Sequence, residues 1–186
     1  MSIKIEDDVI MIKGFQHLPG YNCQLSSLRK LLNYKGIKLS EEMIMGLAEG
    51  IGFIYLSMKQ MPFPFLGGLD GRDIFGTAIR RLGGEVDYIK TSSQKKSYDT
   101  LKEMLREGPL IPMVDIAFLP YFFREGADYP NDEAGHFGAH TFVVYGLNER
   151  ENKVYVSDRY NQPNELRINE FMDAHGSIYK PFPAAN

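Results

Sequence analysis

The chain has 186 residues, a length suited to one domain around one hydrophobic core. Hydrophobic residues make up 44% and charged residues 24%, which is ordinary globular usage and far from a disordered composition. The net charge is −3 and no run of Lys or Arg is longer than Lys95-Lys96, which excludes the electrostatic footprint of a nucleic-acid binder.

Residues Met1 to Lys13 lack the basic start and unbroken apolar core of a secretory signal. No segment approaches the ~20 apolar residues a spanning helix needs, so a cytoplasmic chain without a membrane partner is expected. Absence of repeats and low-complexity tracts makes residues 1–186 read as a single domain, with the oligomeric state left open. Its single cysteine excludes an internal disulfide and a zinc site made of several thiolates.

The first expected element is a strand near Val9 to Ile12, followed by the loop Gln16 to Asn22, where Pro19-Gly20 marks a turn. Leu25, Leu28, Leu31 and Leu32 recur at helical spacing, so a helix starts at or beside Cys23 and closes at Lys35-Gly36. Ser40 before Glu41-Glu42 reads as the N-cap of a second helix ending at Gly50 and Gly52. Ile51 to Met58 is an apolar, β-rich run, and the Pro- and Gly-rich stretch from Met61 through Gly68 reads as extended loop. Asp70 to Leu82 predicts a helix, Val86 to Lys90 a strand, Tyr98 to Arg106 a helix and Leu110 to Val114 a strand. Phe118 to Asp132 reads as a long loop. Ala139 to Leu147 and Lys153 to Asp158 read as paired strands around Asn148 to Asn152, and Ile168 to Ala174 as a short closing helix. Helices come early and the clearest antiparallel pair comes late, which predicts an α+β fold, with N-terminal helices packed on an antiparallel sheet.

A thiol becomes a nucleophile when its pKa falls, and a helix N-terminus lowers it through unpaired N–H groups and the helix dipole. Cys23 sits where that effect acts, with Asn22 placed to cap the helix and Gly20 to let the backbone bend. The alternative is a buried structural thiol. Of the histidines 17, 136, 140 and 175, His140 has the best-defined setting as a base, because it opens a strand. If the hairpin turns near Arg150, His140 and Asp158 share a face one diagonal step apart, and the carboxylate can orient the imidazole. A slip of one residue would put them on opposite faces.

His136 and His140, with Asp132 and Glu133 nearby, raise a metal reading. In a strand the two rings would stand about 13 Å apart, so no metal is expected. The Gly67 to Gly71 stretch lacks the Gly-Lys-Ser/Thr ending of a phosphate loop, and no cofactor is expected. The oxyanion donors would be the Cys23 N–H and the Gln16 side chain, with His17 as the alternative to Gln16. Phe118, Tyr121, Phe122 and Phe123 would line an acyl pocket, cover a partner surface or belong to the core.

Several separated motifs occur in order: Pro19-Gly20-Tyr21-Asn22-Cys23, Leu39-Ser40-Glu41-Glu42-Met43, Gly50-Ile51-Gly52-Phe53-Ile54-Tyr55, His136-Phe137-Gly138-Ala139-His140, Val154 to Arg159 and Lys180-Pro181-Phe182-Pro183. Together they make the chain similar to the N-terminal domain of the butirosin-biosynthesis acyltransferase H family. The resemblance implies a papain-like fold and a cysteine acyltransferase that moves an acyl group from a carrier-protein thioester to an amine. Its partners would then be an acyl carrier protein and a small amine acceptor. Cys23 matches the family's nucleophile, His140 its base, and Asp158 lies where the third member is expected. Asn22 departs from the pattern, since His often precedes the cysteine. Many relatives continue into a second domain, and hydrolysis gains weight if that domain recognises the acceptor. The same residues also admit a cysteine hydrolase (peptidase, amidase or thioesterase) or a non-catalytic binding domain of the same fold.

Overall fold

The computed structural model describes residues 2–50, 53–57, 65–69, 73–86, 88–89, 93–115, 119, 139–158 and 162–177. An antiparallel sheet is built from β1 (Ser2–Glu6), β2 (Val9–Lys13), β7 (Val143–Asn148), β8 (Lys153–Ser157) and β9 (Pro163–Arg167), in the order β1-β2-β7-β8-β9. β7 is buried along its whole length, because the apolar run Val143-Val144-Tyr145 occupies the middle of the sheet. Two short antiparallel pairs stand apart from this sheet: β3 (Phe53–Ser57) with β4 (Phe65–Leu69), and β5 (Met113–Asp115) with β6 (Ala139–Thr141).

Apolar residues on α1 (Cys23–Tyr34), α2 (Glu41–Leu47) and α3 (Ile74–Arg81) form one hydrophobic cluster around Leu28, Ile44 and Ala78. A second cluster joins the sheet to α4 (Gln94–Glu107) and α5 (Ile168–Ser177) through Leu105, Phe142, Leu147 and Phe171. α1 touches both halves, packing on α2 and α3 and also on β6 and β7. The fold is α+β, with the helical half and the sheet half meeting along α1.

The caps follow the local chemistry. Asn22, Ser40, Asp73 and Ser93 each accept a hydrogen bond from a first-turn amide, which fixes where four helices start. Gly36 closes α1 at φ +85°, a conformation glycine adopts without strain.

Several expectations are corrected. Gly67-Gly68 lie within β4, because pairing with β3 supplies the backbone hydrogen bonds that intrinsic propensity disfavours. Val86, Tyr88 and Ile89 are not in a strand; their side chains face a cavity between the two halves, and the Tyr88 hydroxyl donates to the Asp73 carboxylate. α4 starts four residues before Tyr98, at the turn capped by Ser93. The predicted strand from Ala139 to Leu147 is two strands broken at Phe142, and β1 and β9, which were not foreseen, are the two edge strands of the sheet and are mostly exposed. The loop expected at Phe118 to Asp132 lies outside the described residues, apart from the buried Leu119.

Candidate active site

Cys23 is the first residue of α1. The Asn22 side-chain oxygen accepts from Gln24 N at 2.9 Å and Leu25 N at 3.1 Å. That cap satisfies two of the first-turn amides, and no acidic residue in the first turn opposes a thiolate. The approach loop is held from α2: Glu41 Oε2 accepts from the backbone N–H groups of Tyr21 and Asn22, both at 3.3 Å. Gly20 lies so close to Ser26 and Glu41 that a Cβ there would fall 2.1 Å from Ser26 Cβ and 2.2 Å from Glu41 Oε1. Close approach, rather than a bend only glycine can make, requires the glycine.

His140 lies in the middle of β6, opposite Val114, and is 5% exposed; Asp158, directly after β8, is 1% exposed. His140 Nε2 lies 2.9 Å from each Asp158 carboxylate oxygen. A bulge in the β7–β8 hairpin brings them together. Near the turn, Leu147 faces Val154 and Gly146 faces Tyr155; beyond Tyr145 the register slips by one, and Val144 faces Val156. Without the slip, Val143 would stand opposite Asp158, and His140, three residues away, would point to the other face. With it, Phe142 falls opposite Asp158 and His140 is on the same face, one diagonal step off. Tyr145, the inserted residue, is anchored by stacking on Phe15 with ring centroids 5.2 Å apart.

The Cys23 thiol and the His140 side chain face each other closely enough for each to shift the other's pKa. Since Nε2 is taken by Asp158, Nδ1 is the nitrogen that serves the sulfur. Burial pushes the thiol pKa up, but the His140 hydrogen bond and charge outweigh it, helped by the Thr141 N–H, and hold the thiol below its ordinary value. Burial by itself would depress His140; the Asp158 carboxylate overrides it and, with the Cys23 contact, raises the imidazole to about 9. Both shifts favour a thiolate–imidazolium pair near neutral pH.

Three contributors were not foreseen. Lys30, 1% exposed, donates its ammonium to the main-chain carbonyl of Asp158. Burial draws its pKa down to about 8, against the attraction of Asp158 and Glu41. The signal in the sequence was faint: Ser26, Ser27 and Lys30 are polar residues of α1 that the fold buries. Thr141 packs beside the thiol, where its N–H and its buried hydroxyl both help lower the Cys23 pKa. Glu41, expected only as a first-turn charge, ties down the loop before Cys23.

The structure does not bring Gln16 to the thiol. Gln16 Oε1 accepts from Asn33 Nδ2 at 2.9 Å, at the far end of α1 and about 15 Å along the helix from Cys23. His17 lies nearer, with Nδ1 3.0 Å from the hydroxyl of Ser157, the residue before Asp158. Burial and the nearby Lys30 charge lower its pKa, which favours the neutral imidazole. His175 is on α5, bonded to the Met113 carbonyl. His136, Asp132, Glu133, Tyr121, Phe122, Phe123 and Phe118 lie outside the described residues.

Residues 22–159, which include Cys23, His140 and Asp158, match the family described as butirosin biosynthesis protein H, N-terminal. The chain belongs to this family. Among solved structures it is similar to a C39-like peptidase of Bacillus anthracis at 15% identity, with a TM-score of 0.60 over 92% of this chain and 94% of the other. That likeness establishes the papain-like fold, in which a helix carrying the cysteine faces a sheet carrying the histidine. No curated protein matches the chain in sequence. Within this family the chain carries Asn22 before the cysteine, and the geometry gives that residue a task, since its side chain caps α1.

Proposed function

We propose that this protein is a cysteine acyltransferase that takes an acyl group from a carrier-protein thioester and passes it to an amine. The carrying observation is the buried relay in which Asp158 holds His140 Nε2, leaving Nδ1 for a thiol at a helix N-terminus. The Cys23 thiolate attacks the thioester carbonyl, forming a C–S bond, while the Cys23 N–H stabilises the oxyanion. Collapse breaks the bond to the carrier sulfur, and the His140 imidazolium protonates that leaving thiolate. Neutral His140 then takes a proton from the incoming amine as it attacks the acyl-enzyme, and Cys23 departs as thiolate. Family membership favours transfer to an amine over transfer to water.

The test is to incubate the protein with acyl thioesters and follow the intact mass. An acyl adduct on Cys23 that is absent in Cys23→Ser, and that discharges faster with added amine to give amide, supports the proposal. An adduct that yields only free acid makes the protein a hydrolase. If no adduct forms and Cys23 is alkylated no faster than an ordinary thiol, the domain binds without catalysis.

A further inference from the structure

Where the helical half meets the sheet half, the two hydrophobic clusters do not close completely. A cavity of about 510 Å³ remains between them, a volume usual for small-molecule sites. Leu28, Phe75 and Ile79 line it from the helical half, and Leu101, Ile111 and Phe171 from the sheet half. Among the described residues its walls carry few charges: Glu85 is exposed, and burial holds His175 toward neutral while its Nδ1 bonds the Met113 carbonyl. A charged aminoacyl head group would be desolvated there, with Glu85 the one acidic side chain among the described lining residues.

One residue joins this cavity to the chemistry. Thr141 lines the cavity and lies beside the Cys23 sulfur, where its N–H and its hydroxyl both help hold the thiol pKa down. An acyl group esterified to Cys23 therefore has an apolar space beside its attachment point, reached past Thr141. We infer that this cavity is the acyl-chain pocket and that the donor acyl group is an uncharged, apolar chain. The inference rests on the acyl-enzyme reading above and adds the class of donor.

Burial of each methylene predicts that acylation of Cys23 by straight-chain N-acetylcysteamine thioesters speeds up about fourfold per carbon, until the pocket is full. Thr100, half-exposed on α4, borders the cavity, as does Met104 one turn further on. Thr100→Trp should shorten the optimal chain and Met104→Ala lengthen it, with iodoacetamide labelling of Cys23 unchanged in both. The matching alkyl thioethers, which cannot be cleaved, should bind with the same chain-length dependence in calorimetry. Acylation at a rate independent of chain length overturns the pocket and leaves the acyl-enzyme standing. Chain-dependent thioether binding without acylation leaves the pocket and overturns the transfer reading. Flat profiles in both experiments overturn the pocket outright.

Discussion

At the scale of single residues, the site depends on two buried groups whose partners are fixed. Asp158 is the counter-charge that keeps His140 protonated against burial. Asp158→Asn keeps the shape and removes the charge, so the His140 pKa falls and the thiolate population at pH 7 falls with it. Iodoacetamide labelling of Cys23 at that pH should slow by at least about tenfold, one pKa unit's worth; an unchanged rate would show that Asp158 does not control the base. Lys30 acts through the backbone, holding the carbonyl of Asp158 from inside α1. Lys30→Met leaves that buried carbonyl without its donor and Glu41 without a nearby cation, a cost of about 1–3 kcal/mol. Urea unfolding measures it, and a variant as stable as the parent would mean that the buried ammonium contributes nothing net.

At the scale of elements, α1 and the β7–β8 hairpin decide the geometry. α1 presents the thiol at its first turn only while that turn is helical, and the Asn22 cap holds it there. Asn22→Ala should cost about 1 kcal/mol in urea unfolding and slow Cys23 labelling, whereas Asn22→Asp should restore the cap. Equal stability of all three proteins would dissociate the cap from the site. The hairpin sets the other half. Its turn alone places His140 and Asp158 on opposite faces, and the slip at Tyr145 corrects this. Local sequence signals located the two strands, but the bulge depends on packing between Tyr145 and Phe15, which come from distant parts of the chain.

At the scale of the whole molecule, the pairing of Cys23 with His140 links folding to pH. His140 has a raised pKa in the folded protein, so its contribution to stability is complete below its unfolded value near 6.5 and is lost as pH rises through about 9. Cys23 has the opposite sign: its lowered pKa adds stability as pH rises through the folded value. Folded and unfolded pairs each carry about one proton at slightly alkaline pH, so the two effects offset. Cys23→Ser removes the offset. The urea midpoint of that variant should decline between pH 6.5 and 9 more steeply than that of the parent, with Lys30 contributing equally to both. Parallel pH profiles would mean that the thiol and imidazole do not share a proton.

Much of the site was legible in order along the chain. Cys23 at a helix start follows from Asn22 and the leucine spacing, His140 and Asp158 from two strand patterns, and the family from separated motifs. These depend on nearest-neighbour chemistry and periodicity, which a sequence carries explicitly. The tertiary structure alone decided that Gln16 turns away to Asn33, that Lys30 is buried beneath Asp158, that Tyr145 shifts the register and that a cavity opens beside Thr141. Each of these depends on which distant residues meet across the junction of the two halves, and no local pattern encodes how closely two packed surfaces fit.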